Sequence, residues 1–283
     1  MQRIETISSL RAQVKAWRKN HKTVAFVPTM GSLHNGHLSL VNRAKELADH
    51  VVVSIFVNPL QFDDKNDLTA YPRTIESDIQ KLISIDCDIV FTPSVNVMYP
   101  HGMITHTNVT VPNMDDKLCG LKRPGHFDGV ATVVIKFFNI VQPDLAVFGE
   151  KDYQQLFLIK KMVTDLNLPI DIVGSPTFRE RNGLAMSSRN QHLSDDEYDR
   201  AAEIYQTLQT SKLQLEEGKL SFSDIEKWAL THLQKLNFDP EYIDIRRADD
   251  LELAHGGDKN LRILLAARIG RTRLIDNIVC NLA

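Results

Sequence analysis

The run Val51-Val52-Val53-Ser54-Ile55-Phe56-Val57 is nearly all apolar and mostly β-branched. A strand with one wet face alternates apolar and polar side chains. A run without alternation belongs to a strand covered on both faces, as in a parallel sheet flanked by helices. Similar short runs recur: Thr23 to Val27, which Pro28 is expected to end; Asp88-Ile89-Val90-Phe91, stopped by Pro93; Leu145-Ala146-Val147-Phe148; and Ile170-Asp171-Ile172-Val173. Between them lie segments with helical spacing of apolar residues. These are 6–20 (Ile7, Leu10, Val14, Trp17), His37 to about Asp49 (Leu38, Val41, Ala44, Ala48), 74–84 (Ile75, Ile79, Leu82, Ile83), the strongly apolar 127–141, and Tyr153 to Leu166. Strand alternating with helix predicts an α/β fold over residues 1–176, a doubly wound, Rossmann-like parallel sheet with right-handed crossovers.

After about residue 176 the pattern changes. A polar loop, Ser187-Ser188-Arg189-Asn190, precedes two expected helices, about 194–216 and 221–236. The first opens with Ser194 and Glu197 at capping-box spacing. Three short strands are expected near 241–247, 261–266 and 273–279. This predicts a smaller C-terminal α+β domain over 177–283.

The net charge of −3 gives no electrostatic case for nucleic acid or an anionic membrane. Basic clusters such as Arg246-Arg247 and Arg268 to Arg273 read as solvated or ligand-facing. Cys87, Cys119 and Cys280 are odd in number and widely spaced, which supports reduced thiols in a cytoplasmic protein over a disulfide framework or a zinc ribbon. The N-terminus has no apolar core of the kind a signal peptide needs, and no apolar run approaches the ~18 residues of a membrane span.

In doubly wound sheets, ligands bind beyond the carboxyl ends of the strands. Three polar stretches each follow an expected strand: 28–37, 58–62 and 149–155. The first contains Gly31-Ser32-Leu33-His34-Asn35-Gly36-His37. Its glycine spacing matches a Walker A loop, but His37 and Leu38 stand where Lys and Ser/Thr belong, so it is not that loop. No G-x-G-x-x-G occurs in the chain. Two imidazoles at a helix N-terminus can donate to phosphate oxygens beside backbone N–H groups, and Gly36 permits close approach of a nucleotide. The pair could instead cap the helix or ligate a metal. Lys151 reads alone as a surface partner of Glu150 or Asp152, and at a ligand edge as a phosphate clamp. Met186-Ser187-Ser188-Arg189 offers hydroxyls and a guanidinium, suited to phosphates or to loop capping. Gln61 and Gln155 carry no signal singly, and His126 could be catalytic or could start a helix.

Together these stretches resemble the pantothenate synthetase family. Pro28-Thr-Met-Gly-Ser-Leu-His-Asn-Gly-His37, Ser54-Ile-Phe-Val-Asn-Pro-Leu-Gln-Phe62, Tyr71-Pro-Arg-Thr74, Arg123-Pro-Gly-His-Phe-Asp-Gly-Val130, Phe148-Gly-Glu-Lys-Asp-Tyr-Gln-Gln155 and Leu184-Ala-Met-Ser-Ser-Arg-Asn190 occur in the family's order. The likeness covers essentially the whole chain and is looser in the C-terminal part. His34 to His37 stands in the place of the HIGH motif of nucleotidyltransferases, and Met186 to Arg189 resembles their KMSKS-like loop.

The resemblance implies an ATP-dependent ligase that joins pantoate to β-alanine through a pantoyl adenylate, with magnesium, releasing AMP and pyrophosphate. It implies catalytic roles for His34, His37, Lys151, Ser187, Ser188 and Arg189. ATP contacts are implied for Met30, Gly31, His34, Gly36, His37, Gly149, Glu150, Lys151, Asp152, Phe178 and Met186 to Arg189, and substrate contacts for Asn58, Gln61 and Gln155. Phe178 is larger than the aliphatic residue expected there, which points to a contact through its backbone. Asp78 lies in a region the family uses near the metal, but its neighbour Ser77 is not acidic, so no magnesium ligand is assigned. The resemblance also implies a homodimer. Two other readings stay open: a nucleotidyltransferase acting on another small acid, and a non-catalytic nucleotide-binding protein.

Overall fold

The computed structural model describes residues 1–62 and 65–282; Asp63, Asp64 and Ala283 lie outside the described residues. The chain divides into two compact units: Met1–Glu150 with Gln155–Pro176, and Lys151–Gln154 with Thr177–Ala283.

The first unit is built on a six-stranded parallel sheet. Its strands are β1 (Gln2–Ile4), β2 (Val24–Thr29), β3 (His50–Ile55), β4 (Ile89–Phe91), β5 (Leu145–Gly149) and β6 (Asp171–Ser175), in the spatial order β1-β4-β3-β2-β5-β6. The helices that connect them include α1 (Ile7–Lys19), α2 (Asn35–Leu47), α3 (Lys65–Ala70), α4 (Ile75–Ser84), α5 (Val95–Met98), α6 (Cys119–Lys122), α7 (His126–Val141) and α8 (Tyr153–Asp165). Both faces of the sheet are dry, as the unalternating apolar runs require. Ala25, Val27, Val51, Val53, Val90 and Val147 point to one face and pack with Val41 and Ala44 of α2 and Leu82 of α4. Their neighbours point the other way: Phe26 and Phe91 meet Phe137 of α7 at ring separations of 5.5 and 6.3 Å, and Phe148 meets Phe138 at 6.5 Å.

The doubly wound sheet is as expected, with two local differences. β1 escaped notice because only Ile4 of its three residues is buried. Pro28 does not end β2; it pairs in register with Ser54, and Thr29 with Ile55. The reason lies in the period of two. The Val24 N–H and C=O both point toward Asp144, so Pro28 points to that side as well. The β2–β5 ladder has already stopped there, at Phe26 and Ala146. Pro28 therefore has no ladder bond to forfeit.

The strand order reverses between β2 and β5, and these two strands part beyond Phe26 and Ala146. Their other neighbours stay paired to the end, Thr29 with Ile55 and Gly149 with Ser175. This is the topological switch point at which a ligand crevice opens in such folds.

In the second unit, β7 (Asp239–Arg247), β8 (Asn260–Ile269) and β9 (Thr272–Asn281) form an antiparallel sheet, covered by α10 (Glu203–Glu217) and α11 (Phe222–Lys235) after the short α9 (Asp195–Ala201). Ile204, Leu208, Ile225, Ala229 and Leu233 pack on Ile243, Ile245, Leu261, Ile263 and Leu265. The single helix expected over 194–216 is two, interrupted at Ala202, whose own dihedrals stay helical (φ −57°, ψ −27°). β8 and β9 run longer than expected, β8 continuing through Ala267, Arg268 and Ile269 and β9 through Cys280 and Asn281. No helix among the described residues is long and apolar enough to cross a membrane.

Candidate active site

In the first unit the Gly-His turn leaves the carboxyl end of β2 and enters α2. Two consecutive residues take positive φ, Gly31 (+85°) and Ser32 (+51°), so the chain reverses sharply before the helix. A Cβ on Gly31 would lie 3.0 Å from Ile55 Cγ2 and 3.1 Å from Asp78 Oδ2. Only glycine satisfies both the dihedral and the space. The turn is pinned from α4. Asp78, fully buried, accepts from the N–H groups of Ser32 and Leu33 at 2.8 Å each and from Thr74 Oγ1 at 3.1 Å. Lys81 Nζ donates to the Leu33 carbonyl at 2.6 Å. Sequence reasoning missed both pins. It noted Asp78 only as lying in a region the family uses near the metal and assigned it no ligand role; its carboxylate is committed to the turn.

His34 is the N-cap of α2, with extended backbone, and His37 stands one turn in. The His34 N–H donates to His37 Nδ1 at 3.3 Å, and the rings lie 4.0 Å apart. This contact makes Nδ1 the acceptor, which leaves Nε2 of His37 as the nitrogen that can donate to a ligand. The pair thus caps the start of α2 through Nδ1 of His37.

Gln61 ends a 3-10 turn, Pro59–Gln61, that follows β3. Its Nε2 contacts Met30 Sδ and its Oε1 accepts from Asn58 Nδ2 at 3.4 Å. Asn58 is itself buried, 1% exposed. Its Nδ2 also donates to the Gly129 carbonyl (3.0 Å), and its Oδ1 accepts from Tyr99 Oη (2.8 Å). Burial pushes the Tyr99 phenol well above its ordinary value and keeps it a donor. Asn58 therefore orients Gln61 rather than standing exposed to a substrate. Gly149 ends β5, followed by Glu150, and Gln155 lies half-buried on α8.

In the second unit Lys151 is mostly buried, with a long 3.8 Å contact to Asp152. That distance makes the surface salt-bridge reading weak. Asn277 Nδ2 holds the Lys151 carbonyl at 2.9 Å. Phe178 to Met186 forms a tight hairpin: Met186 N–H donates to the Phe178 carbonyl at 2.9 Å and Glu180 N–H to the Leu184 carbonyl at 2.8 Å. The carbonyl of Phe178 thus serves the hairpin, and its side chain is exposed. Arg179, paired with Ala185 in the hairpin, reaches Asp276 of β9 through two bonds of 2.6 and 3.0 Å and stacks on Tyr205 at 3.6 Å. Burial raises the Asp276 carboxyl above its ordinary value, and Arg179 opposes that rise. Ser187 caps the next 3-10 turn, Ser188–His192, its Oγ accepting from Arg189 N–H at 3.3 Å. As acceptor in that bond, Oγ keeps its own proton for donation. Asn190 Nδ2 ties the turn to the Ala185 carbonyl at 3.2 Å.

Comparison with known proteins shows the family. A family model described as pantoate-beta-alanine ligase matches residues 2–279. Proteins named pantothenate synthetase in Shewanella halifaxensis and Shewanella pealeana are 54% and 53% identical, over 98% and 99% of this chain and 98% of each relative. The crystal structure of pantothenate synthetase from Thermus thermophilus is similar with a TM-score of 0.91 at 40% identity, over 98% of this chain and 99% of that one. The pantoate-beta-alanine ligase from Francisella tularensis, solved in complex with beta-gamma ATP and beta-alanine, gives 0.83 at 36%, over 99% and 97%. By the family model and by relatives that match over nearly its whole length, the chain belongs to the pantoate–β-alanine ligases, the enzymes named pantothenate synthetase.

Proposed function

We propose that this ligase condenses pantoate with β-alanine at the expense of ATP, through a pantoyl adenylate. Support comes from the parting of β2 and β5 at the switch point, with a pinned glycine turn and two N-terminal histidines beginning there. That is the geometry of an anion cradle. The ATP and β-alanine held by the Francisella relative support the same substrates here.

In the first step an oxygen of the pantoate carboxylate attacks the α-phosphorus. The bond to the β-phosphate oxygen breaks and pyrophosphate leaves. The protein's work is placement and charge stabilisation. His37 donates through Nε2 to the pentavalent centre, beside His34 and the turn's backbone. Lys151, Ser187, Ser188 and Arg189 are the donors proposed for the phosphates and the departing pyrophosphate. Met30, Gly31, Gly36, Gly149, Glu150, Asp152, Phe178 and Met186 complete the nucleotide contacts. Gln61 and Gln155 hold pantoate through neutral amides, which leave the carboxylate more nucleophilic than an ion pair would. In the second step the β-alanine amine attacks the acyl carbon, the bond to AMP breaks, and the amine loses its proton.

Asp78 does not fit as a magnesium ligand, because its carboxylate is committed to Ser32, Leu33 and Thr74. Magnesium here would arrive with the triphosphate. The homodimer implied by the resemblance is part of the same proposal, and light scattering on the purified protein tests it.

Pyrophosphate exchange into ATP tests the reaction. Exchange that requires pantoate supports it. Exchange with a different acid would move the chain to another nucleotidyltransferase activity, and ATP binding without exchange would reduce it to a nucleotide binder.

A further inference from the structure

The motif Arg123-Pro-Gly-His-Phe-Asp-Gly129 has no part in the proposed reaction, yet it bears closely on Gln61. His126, the first residue of α7, donates from Nδ1 to the Gln61 carbonyl at 2.7 Å. Arg123 Nη1 donates to His126 Nε2 at 3.3 Å, and Arg123 Nη2 to the same Gln61 carbonyl at 3.4 Å. The two contacts of the imidazole agree on one tautomer, with the proton on Nδ1 and Nε2 accepting. One turn further, Gly129 lets α7 touch the 3-10 turn backbone to backbone. A Cβ there would lie 2.4 Å from the Leu60 carbonyl oxygen and 2.7 Å from Gln61 N. The Gly129 carbonyl accepts from Asn58, which also holds the Gln61 amide. Gly125, with φ +75°, makes the bend that aims His126 at the turn.

We infer that Arg123, His126 and Gly129 are positioning residues for Gln61: the amino end of α7 clamps the Gln61 backbone and so sets where its side-chain amide meets the acid substrate. The inference rests on the reading that Gln61 contacts pantoate. A capping histidine would serve its own helix. His126 instead turns its ring to a carbonyl 65 positions earlier in the chain, and Arg123 reinforces the same atom.

Steady-state kinetics with each substrate varied in turn test this. His126→Ala raises the KM for pantoate about tenfold, the scale of one lost hydrogen bond, and leaves the KM for ATP within about twofold. His126→Asn, whose amide nitrogen can stand near the place of Nδ1, recovers most of that loss. His126→Gln, which mimics Nε2, does not. In a Gln61→Ala background, His126→Ala costs nothing further. Gly129→Ala gives the same selective loss if it folds; the His126 series decides the matter if it does not. A uniform rise in all substrate KM values, equal rescue by Asn and Gln, or an undiminished effect of His126→Ala in the Gln61→Ala enzyme would overturn the inference alone. If Gln61→Ala itself left the pantoate KM unchanged, the reading of Gln61 would fall and this inference with it.

Discussion

Gly31 carries two demands at one atom. Its φ of +85° costs any other residue strain on the order of 1–3 kcal/mol, and an added Cβ would press on Ile55 and on the Asp78 carboxylate. Gly31→Ala should therefore lower stability by about that amount in urea unfolding and raise the KM for ATP, because Asp78 cannot yield without releasing Ser32 and Leu33. His37 has its donor set by its Nδ1 contact with His34 N–H. Its loss in His37→Ala should slow pantoate-dependent exchange by ~10²–10³, the usual worth of one transition-state donor. His37→Gln, which can place an amide nitrogen near Nε2, should retain more exchange than His37→Asn; the reverse order would show that Nδ1 faces the phosphate. These residues were legible in the sequence because their chemistry is local, glycines and histidines within one turn. Asp78 and Lys81 were not. Their partners in the turn are backbone atoms 45 to 48 positions away, and a main-chain partner leaves no residue type to recognise.

At the level of elements, the sheet has a polar fastening at its amino edge opposite the ligand edge. Asp49, Asp88 and Asp144 each directly precede a strand, and each accepts a backbone N–H at the start of the neighbouring strand: Thr23, Val51 and Val24 respectively. The aspartates thereby hold strand starts in register while the carboxyl ends of β2 and β5 part. Asp49 takes the Thr23 N–H and hydroxyl and the Lys22 ammonium, which together hold its carboxyl well below the ordinary value. A depressed carboxylate contributes stability that is complete above the ordinary pKa and is lost as pH falls through the folded-state value. Asp49→Asn should therefore be less stable than the parent at neutral pH. In urea titrations from about pH 7 downward, the gap should close as acid protonates the parent's carboxylate. A gap independent of pH would mean that shape, not charge, does the fastening. The strands themselves were readable from apolar runs, as Val51 to Val57 shows. Pro28 was misread because proline forbids a ladder donor only where a ladder exists, and that depends on where the neighbouring strand has stopped.

Over the whole chain, two cores are built on different principles, one sheet covered on both faces and one covered by α10 and α11. The second was harder to read because its strands carry charges whose purpose is tertiary. Adjacent residues of β9 do separate jobs: Asp276 fastens the hairpin that precedes Ser187 through Arg179, and Asn277 fastens the Lys151 backbone. Two segments proposed to bind phosphate thus hang from one strand. Asp276 is almost fully buried, so Asp276→Ala leaves the guanidinium with the Gly183 carbonyl and the Tyr205 ring and no carboxylate, at a cost of about 3 kcal/mol. A single melting temperature describes a chain with two cores poorly. Amide hydrogen exchange resolved by peptide is the better measure, and protection should fall across 178–189 and in β9. If the hairpin kept its native protection while exchange activity fell, Asp276 would matter through charge at the phosphates. If both fell together, it acts by holding the 186–189 loop in place, which is the outcome the bidentate geometry predicts.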